Sequence, residues 1–362
     1  MERISGLREY IRDPGYRDQM GLPGKVTEEY RLLAQGEYNI NYRFTHPITG
    51  QELLLRVNCG SQMHLEHQIE YEHHALELLQ ESGRTPKVYY VDGSLEKLNH
   101  GVLVMEYLPG KSLDYRKDLN VAAECLADIH SVKLPKQTGL LSPGNPLRAI
   151  LEECEEMVKT YMDSPLGDDG TKKQIREMLD MGWRRLEKVK NQEVYRCCIN
   201  TELNSTNFLT GGQGGWTYLI DWEKPLYGDP AQDLGHFLAP TTTFWKTDVI
   251  LSTGEVREFL NQYREALGGR IPVEGLEERV YAYIPVTCLR GVTWCAMAWV
   301  QYQQTDKLIC NESTRRKLDA YLSRDFLKRL VKDYLYDTGV KRSCVSCLHE
   351  KACLWDAQNT EK

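Results

Sequence analysis

Two hydrophobic periods divide this chain, and they change over near residue 107. The segment VTEEYRLLAQGEYNINYRF, followed by HPITGQELLLRV, consists of short apolar runs broken by turns. It reads as strands, with Thr49-Gly50 as a hairpin turn and QELLLRV as the buried return strand. KVYYVDG and GVLVMEYLPG add further strand-like runs, the last stopping at Pro109-Gly110 as a strand does on entering a linker. From Leu119 the spacing becomes helical through Ala122, Leu126, Ile129 and Val132, and helices are predicted over 147–162 and 172–190. A small β interruption follows, EVYRCCIN, a loop, NFLT, the Gly-rich GGQGG and WTYLIDWEKP, before helical patterning resumes to about Tyr336. The pattern is that of an α+β chain, with a small β-rich lobe preceding a large, mainly helical one.

One position breaks its own pattern. In the helix predicted from Leu65 to Leu79, Leu65, Ile69, Leu76 and Leu79 mark an apolar face, and Glu72 falls in the middle of it. A carboxylate there is costly unless it is paired, and Arg56 at the end of the preceding strand is the candidate cation. The alternative is a slightly rotated helix with Glu72 exposed at the rim.

Composition adds limits more than identity. The chain has 362 residues, enough for two or three lobes each burying a core, with 41% apolar and 27% charged residues. A net charge of −7 argues against broad, salt-driven binding of nucleic acid. The N-terminal MERISGLREYIRDPGY lacks the apolar core of a secretory signal, and IPVTCLRGVTWCAMAWV is short and carries Pro285 and Arg290, so it reads as a buried helix. A cytoplasmic protein with no membrane span is expected, and its eleven cysteines are expected as thiols or metal ligands, not disulfides.

The candidate chemistry lies in the order of a few residues. Gly36 would let backbone approach a phosphate, Arg56 would supply a cation and Glu72 its anchor, and Asn207 and Asp221 would present hard oxygen ligands from the two sides of a hairpin. Phosphoryl transfer needs these parts together with an oriented nucleophile. At this point the chain resembles the aminoglycoside phosphotransferase and choline kinase-like family, relatives of protein kinases. The resemblance rests on QGEYNINYRF, LLLRV, EYEHHALELL, VMEYLPGKSL, LADIH, TELNSTNFL and YLIDWEKPLYGDPAQDLGHF, over roughly Leu33 to Leu238.

The resemblance implies a bilobal protein-kinase-like fold, with ATP and Mg2+ in the cleft and a hydroxyl-bearing small molecule as acceptor. The divisions it suggests are a leader at 1–25, an N-lobe at 26–107 and a C-lobe at 108–336, the latter holding a catalytic loop at 198–209 and a metal-binding strand end at 218–223. A cysteine-bearing tail at 337–362 completes the chain. It further implies that backbone groups of Glu106 and Tyr107 meet the adenine, that Asn207 and Asp221 bind magnesium, and that Asp229 and Asp233 are structural. The family's catalytic loop begins His-Gly-Asp, whereas this chain has Asn200, Thr201 and Glu202. Glutamate keeps the charge but extends the side chain by about 1.5 Å. Either loop geometry compensates, with Asn200 supplying the histidine's hydrogen bonds and Glu202 acting as base, or the chain is a nucleotide-binding regulatory protein of weak or absent activity.

The tail KRSCVSCLHEKACLW spaces Cys344, Cys347 and Cys353 as a possible zinc or iron–sulfur ligand set. Cys310, Cys295, Cys288, Cys197, Cys198 or His349 would be its fourth ligand; reduced surface thiols are the alternative.

Overall fold

Leu53, Leu55 and Val57 alternate along one strand with Leu54 and Arg56, so that strand must offer two different faces to two different surroundings. In the computed structural model, which describes residues 4–24, 27–36, 38–61, 63–187, 194–303 and 312–335, both faces are covered. Five antiparallel strands, β1 (Arg31–Gln35), β2 (Asn39–Thr45), β3 (Glu52–Asn58), β4 (Val88–Asp92) and β5 (Gly101–Glu106), form a sheet in the order β1-β2-β3-β5-β4. Arg56 pairs with Asn41 on one side and Leu103 on the other, which fixes it near the centre of the sheet.

Two short N-terminal helices, α1 (Leu7–Tyr10) and α2 (Pro14–Gln19), cover the face carrying Leu53, Leu55 and Val57. Of the stretch read as a leader, Ile4, Leu7, Tyr10, Ile11, Tyr16, Met20 and Leu22 are packed into the core of the lobe. Their anchors are tyrosines: Tyr10 hydrogen-bonds to Tyr90 and to Asp92, both at 2.7 Å, and Tyr16 to Tyr30 at 3.0 Å. The opposite face receives α3 (Gln68–Leu79), which starts three residues after Leu65, at Gln68, and buries Ile69, Glu72, Leu76 and Leu79.

Beyond the linker, the short β6 (Lys111–Ser112) leads into helices α4 (Leu119–His130), α5 (Pro146–Asp163) and α6 (Asp169–Leu186). Four short strands follow: β7 (Cys197–Ile199), β8 (Phe208–Thr210), β9 (Tyr218–Leu219) and β10 (Leu226–Gly228). They pair as β6-β8-β9 and β7-β10. Helices α7 (Pro230–Leu238), α8 (Pro240–Thr247), α9 (Thr253–Leu267), α10 (Leu276–Gln303), α11 (Glu312–Leu322) and α12 (Arg324–Leu330) complete the lobe. The IPVTCLRGVTWCAMAWV segment lies within α10, which packs on α5 and α7 and buries Pro285 among them. No helix among the described residues is long and apolar enough to cross a membrane.

Candidate active site

The hairpin β8–β9 carries the two oxygen-bearing residues to one place. Phe208 pairs with Leu219, and the ladder continues with Ile220 N–H donating to Asn207 C=O at 2.8 Å. Asp221 therefore follows directly on the residue bonded to Asn207. Its φ of 67° lies in the left-handed region, a conformation that costs a non-glycine residue on the order of 1–3 kcal/mol and recurs at functional sites.

Arg56 reaches this point from the sheet. Its Nη1 hydrogen-bonds to Glu72 Oε1 and lies 3.2 Å from Asp221 Oδ1, while its Nε donates to Asn41 Oδ1 at 3.1 Å. Arg56 is 7% exposed and Glu72 1%, so Glu72 is not a rim residue. Burial opposes the charge on Arg56, but the carboxylates of Glu72 and Asp221 override it and hold the guanidinium protonated. Burial likewise pushes the Glu72 carboxyl up, with Arg56 opposing, and its second oxygen has no hydrogen-bond partner among the described residues.

The loop from Asn200 to Asn207 is shaped from below by Asp233 on α7. Asp233 is fully buried and accepts the N–H of Asn200 at 2.8 Å and of Thr201 at 2.7 Å. His130 on α4 supports it, with Nε2 at 3.2 Å from Asp233 and Nδ1 at 2.9 Å from the Tyr263 hydroxyl. Thr201 has a φ of 68°, a strained value for a β-branched residue, and its hydroxyl donates to Lys224 C=O at 2.9 Å. Asn200 ties two parts of the site together: its Oδ1 accepts Glu202 N–H at 3.0 Å and its Nδ2 donates to Asp221 C=O at 2.8 Å. Asn207 Nδ2 donates to Glu202 C=O at 2.9 Å.

Residues that the sequence pattern did not single out surround Glu202. Its Oε1 lies 3.4 Å from Lys224 Nζ and 3.7 Å from Arg290 Nη2, and Arg290 also grips Glu153 at 2.9 Å. Glu153 belongs to the acidic run ILEECEEMV of α5; burial raises its pKa, but Arg290 and Lys224 outweigh this and hold the carboxyl below the ordinary range. The nearby imidazole of His236 is pushed down to about 3 by burial and by the positive charge of Arg290 and Lys224. Glu223 sits beyond Asp221, its side chain accepting from Asn39 and its carbonyl from Gln68 Nε2 at 2.7 Å. Burial and the neighbouring Asp221 push its carboxyl up to about 8. Only its position two residues after Asp221 could have flagged it.

At the linker, Glu106 N–H donates to Lys87 C=O at 2.8 Å and Tyr107 N–H to Glu52 C=O at 3.1 Å. Neither N–H is thus available to a ligand, whereas that of Leu108 donates to no protein atom among the described residues. Gly36 N–H closes the β1–β2 turn on Asn39 C=O at 2.8 Å, and a Cβ there would lie 3.7 Å from that oxygen, an ordinary contact. The turn itself does not demand glycine.

No group of three or more His, Cys, Asp or Glu residues among the described residues is arranged to hold a metal ion. Cys344, Cys347 and Cys353 lie outside the described residues, as do Cys310 and His349. The four remaining candidate ligands are buried: burial holds Cys197, Cys198 and Cys295 well above the ordinary thiol range and pushes Cys288 up to about 12, which marks packed, unreactive thiols.

Residues 29–283 match the family model described as "Phosphotransferase enzyme family". No curated protein is significantly similar to the chain in sequence. Among solved structures, it is similar to a choline kinase from Cryptosporidium parvum Iowa II, with 13% identity, a TM-score of 0.61 and coverage of 91% of this chain and 96% of that one. It is also similar to a Plasmodium vivax ethanolamine kinase, with 15% identity, a TM-score of 0.59 and 89% of each chain covered. A spectinomycin phosphotransferase solved with ADP and spectinomycin matches with 13% identity, a TM-score of 0.58, and 85% and 93% covered. At these identities the likeness establishes a shared fold, mixed α+β with an antiparallel N-terminal sheet and a helical remainder.

Proposed function

Because the chain belongs to the phosphotransferase enzyme family, we propose that it transfers the γ-phosphate of ATP to a hydroxyl of a small molecule. The observation that carries this reading is the guanidinium of Arg56, which joins Glu72 of the N-lobe to Asp221 of the C-lobe at the place where phosphates would lie. Arg56 would bind the phosphates, Glu72 holding it in place. The hinge would take the adenine through the carbonyl of Glu106, backbone at Tyr107 and the free N–H of Leu108, under the turn at Gly36. Asn207 and Asp221 would hold Mg2+, which normally takes one or two carboxylates and completes its shell with water and phosphate oxygens. When bound, the ion would supply neutralising charge for the phosphates.

In the transfer itself, the acceptor oxygen bonds to the γ-phosphorus and the bond from that phosphorus to the β,γ-bridging oxygen breaks, so that ADP leaves. Glu202 accepts the acceptor's hydroxyl proton. Asn200 positions Glu202 by its backbone N–H. Lys224 and Arg290 fix the longer glutamate side chain where the family's aspartate would be shorter.

A second reading, a nucleotide-binding protein without transfer, is favoured by the departure of Asn200, Thr201 and Glu202 from His-Gly-Asp. Thermal-shift titration with ATP and magnesium, combined with ADP release over a metabolite panel, separates the two. Stabilisation with turnover that falls at least about 100-fold in Glu202→Gln supports the kinase. Stabilisation without turnover supports the second reading, and no stabilisation removes both.

A further inference from the structure

Beside Glu202 lies a cavity of about 220 Å³, walled by α7, α8, α10 and α11, and its lining is unlike that of a cation site. Glu202 is the only acid among the lining residues, and it is already held by Lys224 and Arg290. The four charges Lys224, Arg290, Glu153 and Glu202 cancel. His236, facing the cavity between them, is held neutral. A cationic acceptor entering here would find no uncompensated carboxylate and would meet Arg290, itself a lining residue.

What the cavity does offer is uncharged hydrogen-bonding capacity. The imidazole of His236 and the side chains of Thr242 and Thr287 line it, the two threonines at 7% and 5% exposure. A few polar groups on a cavity wall fix the orientation of what binds there. The rings of Trp245 and Trp294 meet edge to face at 5.3 Å and give the same cavity an apolar wall. Such a wall covers the C–H face of a ring while the polar groups take its hydroxyls. The volume is below the roughly 300 Å³ at which drug-sized ligands begin.

On the reading that this is a phosphotransferase, we propose that its acceptor is a compact, uncharged polyhydroxylated molecule of about one ring, a monosaccharide or cyclitol, bound between the Trp245–Trp294 wall and His236. The charge balance leaves no free carboxylate to pair with a cationic amino sugar or an alkylammonium alcohol. One of the acceptor's hydroxyls lies towards Glu202, and His236 reads another as a neutral hydrogen-bonding partner.

The test uses the full chain with ATP and magnesium. Nucleotide stabilisation in a thermal shift is established first, because its absence refutes the phosphotransferase reading and not the acceptor class specifically. ADP release is then measured with D-glucose, D-ribose, myo-inositol, choline and streptomycin. The expected result is a kcat/KM at least tenfold higher for one of the three neutral polyols than for choline or streptomycin, accompanied by a change in tryptophan fluorescence. His236→Gln should then raise the polyol KM about tenfold while leaving the ATP KM unchanged, and Thr242→Val should do the same to a lesser degree. Turnover confined to choline or streptomycin, or nucleotide binding with neither turnover nor fluorescence response to any of the three polyols, overturns the proposal.

Discussion

Replacing Arg56 by methionine should destabilise the protein, and the loss should depend on pH in a definite direction. In the native chain, Arg56 is the hydrogen-bond partner of Glu72 Oε1, and Oε2 has none among the described residues. The Met variant thus leaves a carboxylate at 1% exposure with neither oxygen satisfied by Arg56. Breaking a buried pair from one side costs about 3–5 kcal/mol. The carboxyl can escape by taking up a proton, at about 1.4 kcal/mol for each pH unit above its unfolded pKa of about 4.3. Its folded pKa is raised, so the folded state holds the extra proton, and stability falls as pH rises above the unfolded value. The loss should be about 4 kcal/mol near pH 7.3 and only about 1.4 kcal/mol near pH 5.3. At about 2 °C per kcal/mol, the melting temperature drops about 8 °C at the higher pH and about 3 °C at the lower. Arg56→Met with Glu72→Leu removes both charges and should recover most of the loss at either pH, since buried pairs can be replaced by apolar groups at little cost. Activity should not return. Thermal and urea melts followed by circular dichroism decide it: a single variant as stable as wild type near neutral pH, or a double variant no better than the single, refutes the reasoning.

Three further outcomes are expected. Asp233→Asn keeps one of the two oxygens that accept the loop N–H groups, so melts should show a loss of about 2–4 kcal/mol and turnover should fall on the order of 100-fold; unchanged values for both would remove Asp233 from its loop-shaping role. Because His236 is held at about 3 in the folded protein and rises to about 6.5 when unfolded, its contribution weakens the fold as pH falls below 6.5. Relative to wild type, His236→Gln should be spared about 2 kcal/mol of the acid destabilisation at about pH 5, and parallel pH–stability curves would contradict this. Gly235→Ala should cost about 1–3 kcal/mol, because its Cβ would lie 2.5 Å from Tyr283 Cβ and 3.3 Å from the α10 backbone; a neutral melt would mean that α7 and α10 separate freely.

The sequence was most readable where a local rule was broken or a short hairpin did the positioning. Glu72 stood out because one carboxylate on an apolar stripe demands a partner, and the partner was the adjacent strand's Arg56. Asn207 and Asp221 could be brought together because only a two-strand turn separates them. The surroundings of Glu202 were illegible for the opposite reason: Lys224, Glu153 and Arg290 come from a loop and from two separate helices, so nothing in linear spacing announces that they meet. The tyrosines that dock α1 and α2 were hidden in a polar, glycine- and proline-broken stretch whose four- and six-residue helices are too short to show a period. At the linker, the sequence named Glu106 and Tyr107, but only the hydrogen-bond pattern distinguishes the occupied N–H of Tyr107 from that of Leu108, which has no partner among the described residues.

Asp233 has a consequence for how this loop can change its spelling without changing its form. Glycine takes a left-handed turn without steric cost; here threonine holds one, with two successive N–H groups clasped by a carboxylate from another element. The backbone at 200 and 201 is thereby also held by a residue more than thirty positions downstream. A search keyed to His-Gly-Asp would pass over this chain, whereas one keyed to a buried acid beneath two consecutive amides would find it.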